Sequence, residues 1–209
     1  MTQEDIKRYI DAIIEQTFDV LKEVYSKQKE GFDNLHPHGE NSRIIFPQYS
    51  ENRKTQAGET RLSEQELRFI FVEQFNKYCN NEGLKWFYSV ETPTKFKYRF
   101  SENGHNIDPI KAEDGQSAMM DLAIHDDNLN RIALIEFKAL NPDASCFKKD
   151  FIKLSEEPEA LTYFIMYVKT HDAGTINNLK LKVEAIGNQT KFYCYDLVHG
   201  RRIDNEIRS

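Results

Sequence analysis

The sequence predicts an α/β fold: a central mixed β-sheet flanked by helices, with a long helix at the N-terminus. Three observations carry this. The predicted elements run helix, helix, several strands, helix, strand, helix, strand, the order of a layered α/β domain. Two strand-like segments, 117–125 and 131–139, are separated by turn-forming residues in HDDNLN, so they read as an antiparallel hairpin. The run Leu161-Thr-Tyr-Phe-Ile-Met-Tyr-Val168 is apolar on both faces apart from Thr162, as expected of a central strand covered on both sides.

The elements follow in order. Residues 1–30 hold one amphipathic helix over 3–29, with Ile6, Tyr9, Ile10, Ile13, Ile14, Thr17, Leu21, Val24 and Tyr25 at three- and four-residue steps. Thr2 and Asp5 have capping-box spacing, and Gly31 is a natural stop. Such a helix can serve as a substrate clamp or a dimer arm, giving a homodimer. Its single apolar stripe is met more simply by packing on its own domain, the preferred reading. Residues 31–61 are polar and broken by Pro37 and Pro47. They read as an extended loop with one short strand at Ile44–Phe46. His36 and His38 flank a proline without a third ligand nearby and read as loop residues. The domain proper spans 62–200. It opens with a helix over 63–81, started by Ser63 with Glu66 in the capping-box position and stopped by Gly83. Strands at 85–91 and 94–100 precede a Gly- and Asp-containing loop and the hairpin. Helices near 145–156 and 173–186 flank the apolar strand, and KFYCYDLV is the last strand. Residues 201–209 are read as a frayed tail.

Bulk properties narrow the function. The chain has 209 residues, enough for one domain with an appendage and for a core that needs no disulfide or metal staple. A net charge of −6 argues against coating nucleic acid non-specifically, which takes clustered cations, but leaves room for an enzyme with a basic groove. The three cysteines, Cys79, Cys146 and Cys194, form no CxxC pair, so zinc ribbons and redox dithiols are not expected; all three read as reduced, partly buried thiols. No apolar run approaches the ~20 residues of a membrane span, and MTQEDIKRYI is no signal peptide. A cytoplasmic location without a membrane partner is expected.

The chemistry concentrates in the hairpin. Along Arg131-Ile-Ala-Leu-Ile-Glu136-Phe-Lys138-Ala, alternation puts Glu136 and Lys138 on one face and Phe137 on the other. Asp121 lies in the neighbouring strand, where pairing brings its carboxylate to Glu136. The hydrophobic setting implies burial, and buried charges are costly unless paired or bound to a metal. Two adjacent carboxylates invite a divalent cation, and hard oxygen ligands with retained waters suit Mg²⁺, with Mn²⁺ as a substitute. Such an ion polarises phosphate and activates water, while an adjacent lysine stabilises developing negative charge. Two acids, a lysine and a metal suffice for phosphodiester hydrolysis.

Asp121, fourteen residues, then Glu136-Phe137-Lys138 resembles the signature of the PD-(D/E)xK nuclease superfamily. Met120 stands where the nominal motif has proline. The resemblance covers about residues 61–169 and not the N-terminal helix. It implies a restriction-endonuclease-like core, catalytic roles for Asp121, Glu136 and Lys138, and metal ligation by Asp121, Glu136 and the Phe137 carbonyl. A further acid from the preceding helix is also implied, the segment Ser63-Glu64-Gln65-Glu66-Leu67 being similar to the E-x-E-L element of resolvase-like members. Leu67, Ile70, Phe71, Gln74 and Tyr78 define the inward face of that helix; Glu64 falls about 50° from its centre and Glu66 more than about 100° away. Glu64 is therefore the candidate fourth ligand, Glu66 the structural acid, and Glu73 solvent-facing.

Nucleic-acid contacts are assigned to two cationic segments. Lys148, Lys149 and Lys153 lie on the helix after the motif, and Lys95, Lys97 and Arg99 alternate with aromatics. Both can meet a phosphate backbone, although the second also fits an ordinary strand with one wet face. His125, Asp126 and Asp127 read as turn formers. The resulting expectation is a Mg²⁺-dependent nuclease acting on DNA. The alternatives are a catalytically inactive member of the same fold used for nucleic-acid binding or assembly, and an unrelated α/β interaction protein with Glu136 and Lys138 as a surface ion pair.

Overall fold

A computed structural model describes residues 1–29, 42–44, 63–102, 105–140, 144–157, 160–184 and 189–208. Its seven strands are β1 (Phe87–Glu102), β2 (His105–Lys111), β3 (Gln116–His125), β4 (Arg131–Ala139), β5 (Leu161–Val168), β6 (Thr190–Asp196) and β7 (Arg201–Arg202). They form one sheet in the order β2-β1-β3-β4-β5-β6-β7. The β1–β4 half is antiparallel, β4, β5 and β6 are parallel, and β7 returns antiparallel. The parallel steps are crossovers through α3 (Ala144–Glu156) and α4 (Ala173–Val183), as parallel pairing requires.

Helices cover both faces. On one side α1 (Gln3–Lys29) and α2 (Glu64–Glu82) bury Ile10, Ile13, Leu21, Leu67 and Phe71 against Ile135, Phe137, Ile165 and Tyr195. On the other, α3, α4 and the short α5 (Asp204–Arg208) bury Phe147, Phe151, Leu179 and Ile207 against Leu134, Phe164, Met166 and Cys194. The strict alternation of these two sets along β4 and β5 is why Phe137 belongs to the α2 face, in edge contact with Phe71 at 5.4 Å, while Glu136 looks the other way.

The α1 stripe is covered by its own chain, as its periodicity predicts. Phe18 stacks on Tyr195 at 4.8 Å, and Asp11 accepts from Tyr193 Oη at 2.8 Å and Lys191 Nζ at 3.0 Å. The Thr2–Asp5 capping box is formed. Both α2 limits hold: Ser63 is the N-cap and Gly83, at φ 65°, the C-cap, a left-handed position that glycine adopts without a Cβ penalty.

Four expectations are corrected. The segments 85–91 and 94–100 are a single strand, β1, whose register shifts between Pro93 and Lys97; the irregularity had the look of a break. The loop before the hairpin contains β2, an exposed edge strand whose polar composition hid it. The tail is not frayed: β7 pairs with β6, and Ile203 and Ile207 are buried, so the domain continues past residue 200. Glu66 is buried rather than turned outward, its carboxylate accepting from the Ser63 hydroxyl, and the Ser63 side chain caps no backbone N–H. Cys79 and Cys194 are buried free thiols. Gly31, His36, His38, most of the 31–61 loop and the Cys146 side chain lie outside the described residues; residues 42–44 are not in a strand.

Candidate active site

The site forms where β3 and β4 part. The two strands pair from His125–Arg131 as far as Leu122–Ile135, and one step further Asp121 stands opposite Glu136. There the ladder ends, and the Asp121 carboxylate takes over: its Oδ2 accepts from Phe137 N at 2.8 Å. This bond fixes the Asp121 carboxylate against the backbone of the residue between Glu136 and Lys138. In an extended strand a residue's N–H and C=O face the same edge, so the Phe137 carbonyl lies on the Asp121 side as well.

Glu136 is 1% exposed. Its Oε1 accepts from Lys153 Nζ at 2.8 Å. The same ammonium donates to Met119 O at 2.9 Å and pairs with Asp150 Oδ1 at 2.8 Å, so its three protons have three acceptors. Asp150 Oδ2 pairs in turn with Lys138 at 2.9 Å, and Lys138 reaches Glu64 Oε2 at 3.5 Å. The result is a chain of alternating charge, Glu136–Lys153–Asp150–Lys138–Glu64, with Asp121 alongside. Arg68 approaches Asp121 at 4.0 Å but is engaged by Glu91 at 2.6 Å.

Electrostatics follow from this packing. Burial pushes the Glu136 carboxyl well above its ordinary range, and the charges of Asp150 and Asp121 push it further against the opposing pull of Lys153. Burial also disfavours the Lys138 charge, but Asp150, by charge and hydrogen bond, then Asp121 and Glu64 outweigh it and hold the ammonium above the usual lysine range. Lys153 behaves likewise: burial opposes its charge, and Glu136 with Asp150 prevails. With Glu136 counted as ionised, four carboxylates face the Lys138 and Lys153 ammonium groups and, at 4.0 Å from Asp121, the Arg68 guanidinium, leaving one formal negative charge. The donors at hand, the Asp121 and Glu136 carboxylates and the Phe137 carbonyl, are the hard oxygens that Mg²⁺ or Mn²⁺ takes.

The predicted residues are thus partly brought together. Asp121 bonds to the Phe137 N–H and lies near enough to Glu136 and Lys138 to act on both electrostatically. Glu64 turns to the site, yet its carboxylate faces Lys138 rather than the Asp121–Glu136 pair. Lys153 is corrected: it is 8% exposed and bound inside the site, unable to reach a phosphate backbone. Asp150 was missed. Its signal was present, since it shares the apolar face of α3 with Phe147, Phe151 and Leu154, and an acid on such a face demands a partner. Among the remaining cations, Lys148 pairs with Asp108 at 2.5 Å and Arg99 with Asp114 at 2.9 Å, both on the surface. Lys95 and Lys97 are exposed on β1, where Lys111 lies over the Phe96 ring at 3.8 Å. Asp126 is a turn former, accepting from Asn128 N and Asn130 N, and His125 contacts Ser89 Oγ at 2.9 Å. No helix among the described residues is long and apolar enough to cross a membrane.

Comparison with family models, curated proteins and solved structures returns no match.

Proposed function

We propose that this chain is a divalent-metal-dependent nuclease with a restriction-endonuclease-like core of the PD-(D/E)xK type, acting on DNA. The observation that carries the reading is the Asp121–Phe137 hydrogen bond. It sets one acid against a second, buried acid on the next strand, with a lysine two residues on. Asp121, Glu136 and the Phe137 carbonyl would hold Mg²⁺. The ion would polarise a phosphate oxygen and lower the pKa of a bound water.

The chain's own groups account for the rest. Asp150 and Glu64 hold the Lys138 ammonium at the mouth of the site. Because Lys138 is kept protonated, it acts as a fixed cation that stabilises negative charge growing on the phosphate, not as a base. Burial of Glu136 and the apolar walls from Phe151 and Phe164 exclude water, which strengthens each of these interactions. Exposed Lys97 on β1 and Lys149 on α3 are the cations this reading assigns to a phosphate backbone.

One observation favours the catalytically inactive alternative: the Lys153 ammonium already occupies Glu136 Oε1, where a metal would bind. Plasmid and oligonucleotide cleavage with Mg²⁺ or Mn²⁺ separates the two. The nuclease reading expects metal-dependent cleavage that Lys138→Ala abolishes while metal binding persists. Salt-sensitive DNA binding without cleavage at any metal concentration supports the alternative, and cleavage unchanged in Lys138→Ala overturns the assigned mechanism.

A further inference from the structure

A second cluster sits at the C-terminal ends of β5 and β6, independent of the nuclease reading. His171 follows β5, Asp196 closes β6, and His199 lies in the turn into β7. The Asp196 side chain is fully buried. Its Oδ1 accepts from His199 N at 2.8 Å. Its Oδ2 receives three donors: His171 N at 3.0 Å, the His171 ring Nδ1, and His199 Nδ1 at 2.9 Å. A carboxylate oxygen offers two lone pairs, so three N–H groups crowd it. Among the described residues this is the only set of three or more His, Cys, Asp or Glu side chains whose ligand atoms all lie within 4.8 Å of one another.

We propose that His171 Nδ1, Asp196 Oδ2 and His199 Nδ1 bind one Zn²⁺, the ion taking the place of the two ring protons that now converge on Asp196. Two imidazoles and one carboxylate suit zinc, whereas Mg²⁺ and Ca²⁺ prefer all-oxygen sets. Tetrahedral Zn²⁺ with bonds near 2.0–2.1 Å keeps its ligands roughly 3.3 Å apart, and the three ligand atoms already lie within 4.8 Å of one another. The His199 side chain is 51% exposed, which leaves it free to move and leaves a fourth position open to water. Ligation through Nδ1 makes His171 Nε2 the N–H. Glu206 Oε2, 3.8 Å from that nitrogen, is the acceptor that orients the ring. Arg201, which contacts the same nitrogen at 3.1 Å and also pairs with Glu206, turns to Glu206 alone. The ion would tie the loop after β5 to the β6–β7 turn and so hold the C-terminal segment on the sheet.

The test is isothermal titration of the chelator-stripped full chain with Zn²⁺, with Co²⁺ absorption as a report on coordination. Wild type, Glu136→Gln and His199→Ala are compared. The site predicts a Zn²⁺ binding event in wild type that persists in Glu136→Gln and is weakened more than about 10-fold in His199→Ala, with the Co²⁺ visible bands lost in parallel. Circular dichroism of metal-free His199→Ala confirms that it folds; should it not, His199→Gln replaces it under the same criteria. No uptake by wild type, uptake unchanged in the His199 variant, or uptake lost in Glu136→Gln each overturns the proposal.

Discussion

Glu136 and Glu157 are both buried carboxylates, and their surroundings are opposite. Glu157, just past the end of α3, accepts from Lys95 N at 2.8 Å, Phe96 N at 3.0 Å and Tyr98 Oη at 3.4 Å, and pairs with Arg131 at 2.6 Å. Every lone pair has a fixed donor, and two of them come from the stretch where β1 changes register. This acid clamps the irregular part of β1 to the sheet. Glu136 has Lys153 and, beyond it, two neighbouring anions that push its carboxyl upward. Burial is the same; the balance of charge is not. A saturated acid holds structure together, whereas an acid crowded by other acids stores a demand for a cation.

The largest effect is expected on chemistry: Glu136→Gln should lower cleavage by about 10³-fold or more, equivalent to ~4 kcal/mol of lost transition-state stabilisation, while melting of the metal-free chain is undiminished. Glu157→Ala should do the reverse, costing ~3 kcal/mol in urea unfolding because Arg131 is left buried without its counter-charge. If Glu157→Ala is neutral for stability, the distinction between clamp and site fails. Next comes pH. Glu136 in the folded chain keeps a proton that the unfolded chain releases at the ordinary 4.5. Metal-free stability should therefore fall as pH rises from 4.5 to the elevated folded value, by about 1.4 kcal/mol for each unit of elevation. Glu136→Gln should flatten that limb in chelator-treated protein. The smallest effect belongs to the surface: Lys97→Ala should weaken DNA binding uniformly across sequences and reduce the salt-dependence slope by just under ~1, leaving the rate at saturation unchanged.

Much of this was legible in the residues, for physical reasons. The α2 face, the β3–β4 hairpin and the doubly covered β5 follow from apolar periodicity, because burying one or both faces leaves a direct imprint on the sequence. Asp121, Glu136 and Lys138 stood out because charges embedded in apolar strands need an explanation. Other features escaped. The β2 edge strand has a polar, mostly exposed sequence and so carries no apolar period. The β7–α5 segment is short, and its anchoring residues, Ile203 and Ile207, are too few to show a period. Lys153 looked like a surface cation because a long amine on an amphipathic helix usually is one; its burial depends on Glu136, Asp150 and Met119 O, which come together only when α3 packs beside β3 and β4. Periodicity reports faces, not which polar groups from distant segments will meet.

The central claim is that the buried acids at the end of β3 and β4 hold a cation. It is tested most directly by the anomalous signal from a crystal of the full chain soaked in Mn²⁺. The account predicts Mn²⁺ between the Asp121 and Glu136 carboxylates, with the Lys153 ammonium moved off Glu136 Oε1. Lys153 still bonded to Glu136, with no Mn²⁺ at these acids, would contradict it.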